Sequence, residues 1–408
     1  MPYSVQDVMD YIEQEDVKFI RLAFSDVFGH QKNISIMPSE LPRAFEYGVS
    51  FDASAIDGFG EEEKSDLFLF PEPDTLEILP WRPSHGRVVR LYCSVKYPDG
   101  TPFEMDGRYI LRRAVKEAMD MGVDLCMGAE YDFYLFNSDE EGNSTYIPHD
   151  KAGYMDIAPD DKGEDVRREI CLTLEEMGIT PMCSHHQYGP GQHEIDFRPA
   201  APLKCADNAM TFMTVVRTMA HRNGLTASFE PKPLTRYPGN GFHINVSLRN
   251  AGDCDKKKSE LGAFLAGVLE HICEITAFLN PMRQSYERLG SSKAPKFITW
   301  SRENRSQLVR VPTVNGDSPR LELRSPDPAS NPYIAFALVI YAGLDGIRRS
   351  LTPPEAADIN PYLTDPKTSG FKSLPSTPEE AFRLAQISPF VDKVLPRRVI
   401  DVYMSTLF

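Results

Sequence analysis

The segment LCMGAEYDFYLF, residues 125 to 136, predicts a β-strand because apolar and polar residues alternate along it with a period of two. Side chains of a strand alternate between its two faces, so Glu130 and Asp132 point to one side while Tyr131 and Phe133 point to the other. The two carboxylates would then lie roughly 6–7 Å apart, from the ~3.3 Å rise per residue. Oxygen ligands at this spacing favour Mg²⁺ or Mn²⁺, although a solvent-facing strand with ordinary acids fits the segment alone equally well.

The same alternation occurs in three further segments, which makes a shared charged cavity the better interpretation. In QHEIDF (192–197) the polar face is Gln192, Glu194 and Asp196. GFHINVSL (241–248) places His243, Asn245 and Ser247 together, and RLELR (320–324) places Arg320, Glu322 and Arg324 together. A sheet with one wet face would show the same alternation.

Arginines accompany these acids and favour a site for anions over a solvated surface. They are Arg288, Arg305, Arg310, Arg320 and Arg324. Guanidinium groups bind carboxylates and phosphates through two parallel hydrogen bonds. The Walker sequence GxxxxGK[ST] and the dinucleotide sequence GxGxxG are absent from the chain. The residue pattern alone therefore predicts a metal-dependent enzyme that acts on anionic substrates.

The order of elements predicts an α+β protein of two domains. Residues 17 to 100 contain short alternating segments, whereas strand-like and helical segments alternate from residue 104 onward. We expect an N-terminal sheet domain over residues 1–103 and a catalytic domain with an antiparallel sheet and helices over residues 104–408. The run Lys256–Lys258 is expected to be a solvated loop, and the chain after the proline-rich residues 353–378 is expected to form one or two short helices.

Composition excludes several other classes of function. A net charge of −15 and a pI near 5.1 disfavour binding to nucleic acid or to an anionic membrane. Seven cysteines without a CxxC pair predict neither a disulfide framework nor a zinc-thiolate site. No apolar run reaches the length of a membrane span, and the acidic N-terminus lacks the features of a signal peptide. The expected location is the cytoplasm.

At these residues the sequence resembles the glutamine synthetase family, in particular bacterial type I. The matching segments are FDASAIDGF (51–59), GAEYDFYLF (128–136), SHHQYGPGQHEIDF (184–197), GFHINVSL (241–248), SYERL (285–289), NRSQLVRVP (304–312) and LELRSPDPASNPY (321–333). The resemblance implies a β-grasp-like N-terminal domain, a large catalytic domain, and a homo-oligomer built as a hexameric ring or a dodecamer. It also implies that ATP, with Mg²⁺ or Mn²⁺, phosphorylates the γ-carboxylate of glutamate before ammonia displaces phosphate.

The resemblance also implies a role for individual positions. Glu130, His243 and Glu322 match the ligands of a metal near the ATP phosphates, and Asp132, Gln187 and Glu194 match those of a metal near glutamate. Gly239, Arg288, Arg324, His243 and Tyr154 match substrate-binding positions, whereas Asn245, Ser247, Arg305 and Arg310 match positions that bind ATP. Asp52, Arg305 and Lys293 match catalytic positions, with Asp52 donated across a subunit interface to the ammonium site.

Several positions depart from the family pattern on the ammonium side. The family has glutamate where this chain has Asp132 and Gln187, a serine at Ala55, and a glutamate at Lys293. These changes predict a weaker second metal site and a poorer site for a cation. Three alternatives stay open: ligation of ammonia, ligation of a different amine, or a catalytically impaired regulatory or structural relative.

Overall fold

A computed structural model describes residues 3–60, 65–82, 85–249, 254–312, 319–357, 359–360, 363 and 370–405 of the protein. The N-terminal part contains two helices and six strands. They are α1 (Val5–Gln14), β1 (Val17–Ser25), β2 (Gln31–Ile36), α2 (Leu41–Tyr47), β3 (Val49–Asp52), β4 (Asp66–Pro71), β5 (Glu77–Ile78) and β6 (Arg87–Lys96). The strands form one sheet in the order β2-β1-β6-β4-β3, with β5 paired to β6.

The remaining chain contains a second sheet and the larger helices. Its elements are α3 (Gly107–Asp120), β7 (Leu125–Ser138), β8 (Ser144–Pro148), α4 (Glu164–Glu176), β9 (Pro181–His186), β10 (Gln192–Phe197), α5 (Pro202–Arg222), β11 (Leu225–Ser228), β12 (Phe242–Leu248), α6 (Cys254–Leu279), α7 (Arg283–Arg288), β13 (Trp300–Arg302), β14 (Val309–Val311), β15 (Arg320–Leu323), α8 (Pro332–Arg348), α9 (Pro378–Gln386), α10 (Pro389–Val394) and α11 (Arg397–Ser405). The α+β prediction is confirmed.

The second sheet runs in the order β13-β14-β15-β12-β7-β10-β9, and every pairing in it except β13 with β14 is antiparallel. Its apolar face packs on helices. Tyr131 of β7 stacks on Phe242 of β12, with ring centroids 4.4 Å apart, and on Phe212 of α5 at 5.4 Å. Phe242 in turn lies 5.8 Å from Phe336 of α8. The polar face of the same strands is thereby left free to line a cavity.

Buried polar contacts hold the helices of the second part together and join one of them to the first sheet. Arg108 at the start of α3 forms a two-pronged ion pair with Asp207 of α5, at 3.0 and 2.9 Å. The Tyr333 hydroxyl donates to the same carboxylate at 2.7 Å. Asn331 donates at 2.9 Å to the carbonyl of Val27, which lies just after β1. The last of these bonds joins the chain just after β1 to the start of α8, which supports the second sheet.

Two expectations about local structure are wrong. Lys256–Lys258 belong to the first turns of α6 and not to a loop, since the apolar period that marks this helix begins only at Leu261 and the pattern gave no sign of its earlier start. The C-terminal segment forms three short helices, α9 to α11, where one or two were expected. Each of α9 and α10 starts at a proline preceded by a capping Thr377 or Ser388, a signal of a helix start.

One helical stretch, Lys258–Leu279 in α6, is long and apolar enough to cross a membrane by length and composition alone. No such stretch was expected from the sequence, because charged residues at its start interrupt the apolar run. Most of the stretch, 78%, is buried inside the protein. It packs against α8 and α9, as the central helix of a folded core does.

Candidate active site

The register of five adjacent strands brings the predicted site residues together. Glu194 of β10 lies opposite Asp132 of β7, and Asp196 lies opposite Glu130. On the other side of β7, His243 of β12 lies opposite Glu130. Glu322 of β15 pairs with Asn245 of β12 and with Arg310 of β14. Polar faces that the sequence showed one strand at a time therefore form one continuous surface.

This surface lines a cavity of about 250 Å³. Twelve predicted site residues line it: Glu130, Asp132, Tyr154, Gln187, Glu194, Gly239, His243, Arg288, Lys293, Arg305, Arg310 and Arg324. Asn245 and Ser247 line an adjoining cavity of about 490 Å³, which shares Glu130, Asp196 and Arg320 with the first. Such a pair of connected polar cavities suits a substrate and a second, larger anionic ligand side by side.

Glycines bring the backbone close to this site. A Cβ atom on Gly239 would lie 2.3 Å from the Pro231 carbonyl oxygen and 2.9 Å from the Arg288 side chain. A Cβ on Gly241 would lie 2.7 Å from Nε2 of His243. The Gly241 amide also donates to Oδ2 of Asp132 at 2.9 Å. Only glycine lets the chain pass this close to the carboxylate and the guanidinium.

One candidate metal centre is formed by Glu130, His243 and Glu322, whose ligand atoms lie within 4.8 Å of one another. Asn245 orients Glu130 through a 2.7 Å bond to Oε1, which leaves Oε2 3.3 Å from Nδ1 of His243. Burial works to raise the pKa of Glu322, but Arg324, His243 and Arg310 together hold that pKa well below its usual range. Glu322 is thus an ionised carboxylate, as a metal ligand must be.

A second cluster contains Glu130, Glu194 and Asp196, again within 4.8 Å. Burial and the charge of Glu130 raise the pKa values of Glu194 and Asp196. Burial and the charge of Glu194 raise the pKa of Asp132 to about 7. Carboxylates that repel each other in this way are stabilised by bound protons or by a divalent cation, so these residues fit a metal ion.

Gln187 lies between two of these carboxylates. Its amide nitrogen donates to Oδ1 of Asp132 at 3.2 Å and to Oε2 of Glu194, while its buried Oε1 has no hydrogen-bond partner within the described part of the chain. The amide therefore satisfies the two carboxylates without adding a charge. Gln187 is therefore a poorer metal ligand than the residues of the first cluster, Glu130, His243 and Glu322.

The arginines differ in how they are held. Arg310 binds Glu322 at 2.8 Å and Arg324 binds the other oxygen of the same carboxylate. Arg288 is buried and donates to the Ser325 carbonyl at 2.6 Å. These contacts fix two guanidinium groups over the first cluster and a third beside Gly239, which gives the cavity fixed positive charge for phosphate or carboxylate.

Glu322 lines neither cavity but binds Arg310 and Arg324 in the wall of the first, whereas Asp52 lies away from both cavities. Asp52 is exposed at the end of β3 in the N-terminal sheet, where Ser54 donates to Oδ1 from its backbone at 3.0 Å and from its hydroxyl at 2.6 Å. It lines a separate depression together with Gln31 and Asn33. Within a single chain it has no place in the site.

Sequence reasoning missed several residues of the cavity. Asp196 and Arg320 appeared in the strand patterns but had no assigned role, and Arg320 proves to donate to Oδ1 of Asn245 at 3.0 Å. His185 and Tyr188 were not singled out. Alternation around His185 could have indicated it, whereas Tyr188 lies in a Gly-Pro turn that has no period to recognise it by.

A larger cavity of about 770 Å³ lies elsewhere, lined by residues that include Phe28, Arg217 and Tyr403. It contains none of the predicted site residues, and its carboxylates and arginines do not converge on one point as those of the strand cavity do. Size alone therefore does not make it the active site.

Comparison with known proteins agrees with this geometry. Residues 16–98 match the family model "Glutamine synthetase, beta-Grasp domain", and residues 104–406 match "Glutamine synthetase, catalytic domain". This chain belongs to the glutamine synthetase family. The division of the chain into domains at residue 103 stays a prediction.

Individual relatives of this family are similar over nearly their whole length. The chain is 44% identical to a glutamine synthetase of Methanosarcina mazei, with 98% of this chain and 92% of the relative covered, and 42% identical to one of Clostridium saccharobutylicum, with 99% and 94% covered. Among solved structures, a GmaS–ADP complex superposes with a TM-score of 0.88 at 28% identity, covering 98% and 94% of the two chains. Plasmodium falciparum glutamine synthetase has the same fold, with a TM-score of 0.86 at 22% identity over 100% and 95% of the chains.

Proposed function

We propose that this chain is an ATP-dependent carboxylate–amine ligase that activates the γ-carboxyl of glutamate and joins it to ammonia or another amine. The observation that carries the proposal is the convergence of an acid cluster and fixed arginines on one cavity. Phosphoryl transfer to a carboxylate brings together several negative charges, and groups of both kinds are needed to hold them.

In this proposal, the residues of the two cavities have different roles according to where they lie. Asn245, Ser247 and Arg320 line the larger of the two cavities, which suits ATP, and Arg310 and Arg305 lie toward the transferred phosphate. Gly239 and Arg288 lie where glutamate would bind. Arg324 and Arg310, held by Glu322, supply fixed positive charge for the transferred phosphoryl group.

Divalent ions complete the site in this proposal. Glu130, His243 and Glu322 would hold one Mg²⁺ or Mn²⁺ ion, and Glu194 with Asp132 and Gln187 would hold another. When bound, such ions neutralise phosphate charge and orient the phosphoryl group. A cytoplasmic homo-oligomer, as a hexameric ring or dodecamer, would bring Asp52 of one subunit to the cavity of the next.

Trapping the activated carboxyl tests the proposal. Purified protein is incubated with ATP, Mg²⁺, L-glutamate and hydroxylamine, and γ-glutamyl hydroxamate and phosphate are measured. We expect both products to form only when glutamate is present, with no activation of D-glutamate beyond a small fraction of that rate. Phosphate release that does not depend on glutamate, or ATP binding without hydroxamate formation, would indicate that the protein is a regulatory or structural relative.

A matched pair of variants locates the activity in the cavity. Arg324→Met removes a cation from Glu322 and should lower hydroxamate formation by about a hundredfold, the usual effect of losing one fixed donor to developing charge. Arg168→Met changes an exposed arginine on α4 that pairs with Asp165, and should leave the rate unchanged. Equal rates for the two variants would place the chemistry elsewhere.

A further inference from the structure

Two turns face each other across the mouth of the cavity, and a lysine from one lies on an aromatic pair from the other. Nζ of Lys293 lies 3.9 Å from the ring centroid of Tyr188. On its other face, Tyr188 stacks on Tyr154, with centroids 4.5 Å apart and planes inclined by 7°. An ammonium over the face of such a ring is attracted by its electrons. The contact holds a positive charge at the entrance.

The backbone fixes the position of Lys293. Its φ of 69° lies in the left-handed region, within a turn closed by a 3.1 Å bond from the Ala294 amide to the Ser291 carbonyl. A second bond, from the Gly290 amide to the Ala294 carbonyl at 3.2 Å, tightens the loop. The Ser291 hydroxyl donates at 2.6 Å to the carbonyl of Arg288. The turn is thereby attached to a residue of the cavity wall.

The turn that carries Tyr188 is equally well held. The Gln187 amide donates to the Gln192 carbonyl at 2.7 Å, and the Gly189 amide donates to the side-chain oxygen of Gln192 at 3.0 Å. The Gly191 amide donates to the buried carboxylate of Asp150 at 2.8 Å. Because both turns are anchored, the positive charge at the mouth has a defined place relative to the cavity.

The charges of the cavity are unevenly distributed. The carboxylates among its lining residues, Glu130, Asp132, Glu194 and Asp196, all lie on β7 and β10 at its floor. The mouth is formed by the exposed side chains of Lys293, Tyr154 and Tyr188, and Arg305 lines the same cavity. Within one chain, a small cationic amine that enters here meets the Lys293 ammonium before it reaches any of these four acids.

We propose that the acceptor is a primary amine that also carries a carboxylate or another anionic group, and that Lys293 is the residue that selects it. This inference rests on the proposed function: with phosphate on the arginine-lined side of the cavity, the side left for the amine is the mouth between Tyr154 and Lys293. The anionic group pairs with the Lys293 ammonium at the mouth. The amino group then reaches inward to the activated γ-carboxyl.

The bond changes are those of amide formation. The uncharged amine nitrogen attacks the γ-carbonyl carbon of γ-glutamyl phosphate, and a C–N bond forms. The bond from that carbon to the phosphate oxygen breaks, and phosphate leaves with the electron pair. The nitrogen loses one proton to water. The product is a γ-glutamyl amide that retains the anionic group of the acceptor.

A panel of acceptors with wild-type protein decides the proposal. Ammonium, methylamine, putrescine, glycine and taurine are compared by kcat/KM for phosphate release in the presence of ATP, Mg²⁺ and L-glutamate. We expect glycine and taurine to exceed methylamine and ammonium by about tenfold, the order of effect of one charge at the rim of a site. Ammonium, methylamine or putrescine as the best acceptor would overturn the assignment.

Charge variants at position 293 test the role of the lysine. Lys293→Met should lower kcat/KM for glycine about tenfold and raise kcat/KM for methylamine, which no longer meets a positive charge at the entrance, and Lys293→Glu should favour putrescine over glycine. Lys116→Met, on the exposed side of α3, is the control and should keep the wild-type ranking. A ranking that is the same in all four proteins would also overturn the assignment. Hydroxamate trapping, in which small and mostly uncharged hydroxylamine takes the place of the acceptor, separates this failure from failure of the proposed function.

Discussion

Gln187 shows how one side chain can change the electrostatics of a whole cluster. Its amide donates to Asp132 and to Glu194, two carboxylates whose pKa values are raised by burial and by nearby carboxylates. The neutral amide reduces the repulsion between Asp132 and Glu194, which would otherwise require a bound cation. The cluster should therefore bind a metal ion less tightly than it would with a third carboxylate at position 187.

Gln187→Glu should consequently strengthen metal binding. The new carboxylate adds charge between Asp132 and Glu194, so we expect Mn²⁺ to bind at least about tenfold more tightly, or an additional ion to bind. Calorimetric titration of metal-free protein measures both affinity and stoichiometry. Gln386→Glu adds the same charge on an exposed part of α9 and should not change the titration. An identical isotherm for Gln187→Glu and wild type would argue against a metal at this place.

The sequence alone indicated many of the residues at the floor of the cavity and few of those at its mouth. Strand alternation alone placed Glu130 with Asp132 and Glu194 with Asp196, because a period of two is a local property of the chain. The stack of Tyr154, Tyr188 and Lys293 comes from three separate turns. Turns have no period, so only the folded chain shows which of their side chains meet.

Among the elements, α6 and α8 form the helical support of the site, and a histidine joins them at one end. Nε2 of His271 in α6 lies 2.9 Å from Asp345 of α8, Nδ1 lies 3.3 Å from Glu274, and Phe390 of α10 stacks on the ring at 3.9 Å. Burial acts to lower the pKa of His271, but the hydrogen bonds to Glu274 and Asp345 outweigh it and raise that pKa above 6.5. The imidazolium is the form that donates to both carboxylates.

The raised pKa of His271 determines how the stability of the protein changes with pH. A histidine whose pKa is raised on folding contributes stability that is complete below about pH 6.5 and disappears as the pH rises through the raised value. We expect His271→Gln to lose about 1 kcal/mol of unfolding free energy at pH 6 and much less at pH 9. Urea denaturation of both proteins at the two pH values gives the difference, and His221→Gln, exposed at the end of α5, is the control. A loss that does not change with pH would contradict a charged His271.

Element boundaries were predicted least well where charge and helix coincide. Lys256–Lys258 were expected in a loop because three lysines interrupt any apolar period, yet they form part of α6. The strands were predicted better, since β7, β10 and β12 each contain a full alternating segment. Their order in the sheet, which sets Glu130 between Asp196 and His243, depends on pairing between distant segments and is not contained in any one of them.

For the whole molecule, the place of Asp52 suggests that one chain is incomplete as an enzyme. The residue is exposed, its carboxylate is oriented by Ser54, and those hydrogen bonds lower its pKa, so it is ionised. An ionised carboxylate at the mouth of a cavity could accept the proton of an amine. In the single chain Asp52 lines neither of the two connected cavities, so a head-to-tail ring is the arrangement that would supply it.

Complementation between two inactive proteins tests that arrangement. Asp52→Ala leaves the cavity intact but removes the donated carboxylate. Arg324→Ala damages the cavity but keeps Asp52. Each protein alone should therefore be nearly inactive. When equal amounts are dissociated and reassembled together, random mixing around a head-to-tail ring restores about a quarter of the sites, those with an intact cavity from one subunit and an intact Asp52 from the next. Recovered activity near that fraction, against none when the separately assembled proteins are simply combined, would place Asp52 in the site of a neighbour. If Asp52 acted only within its own chain, mixing would restore nothing.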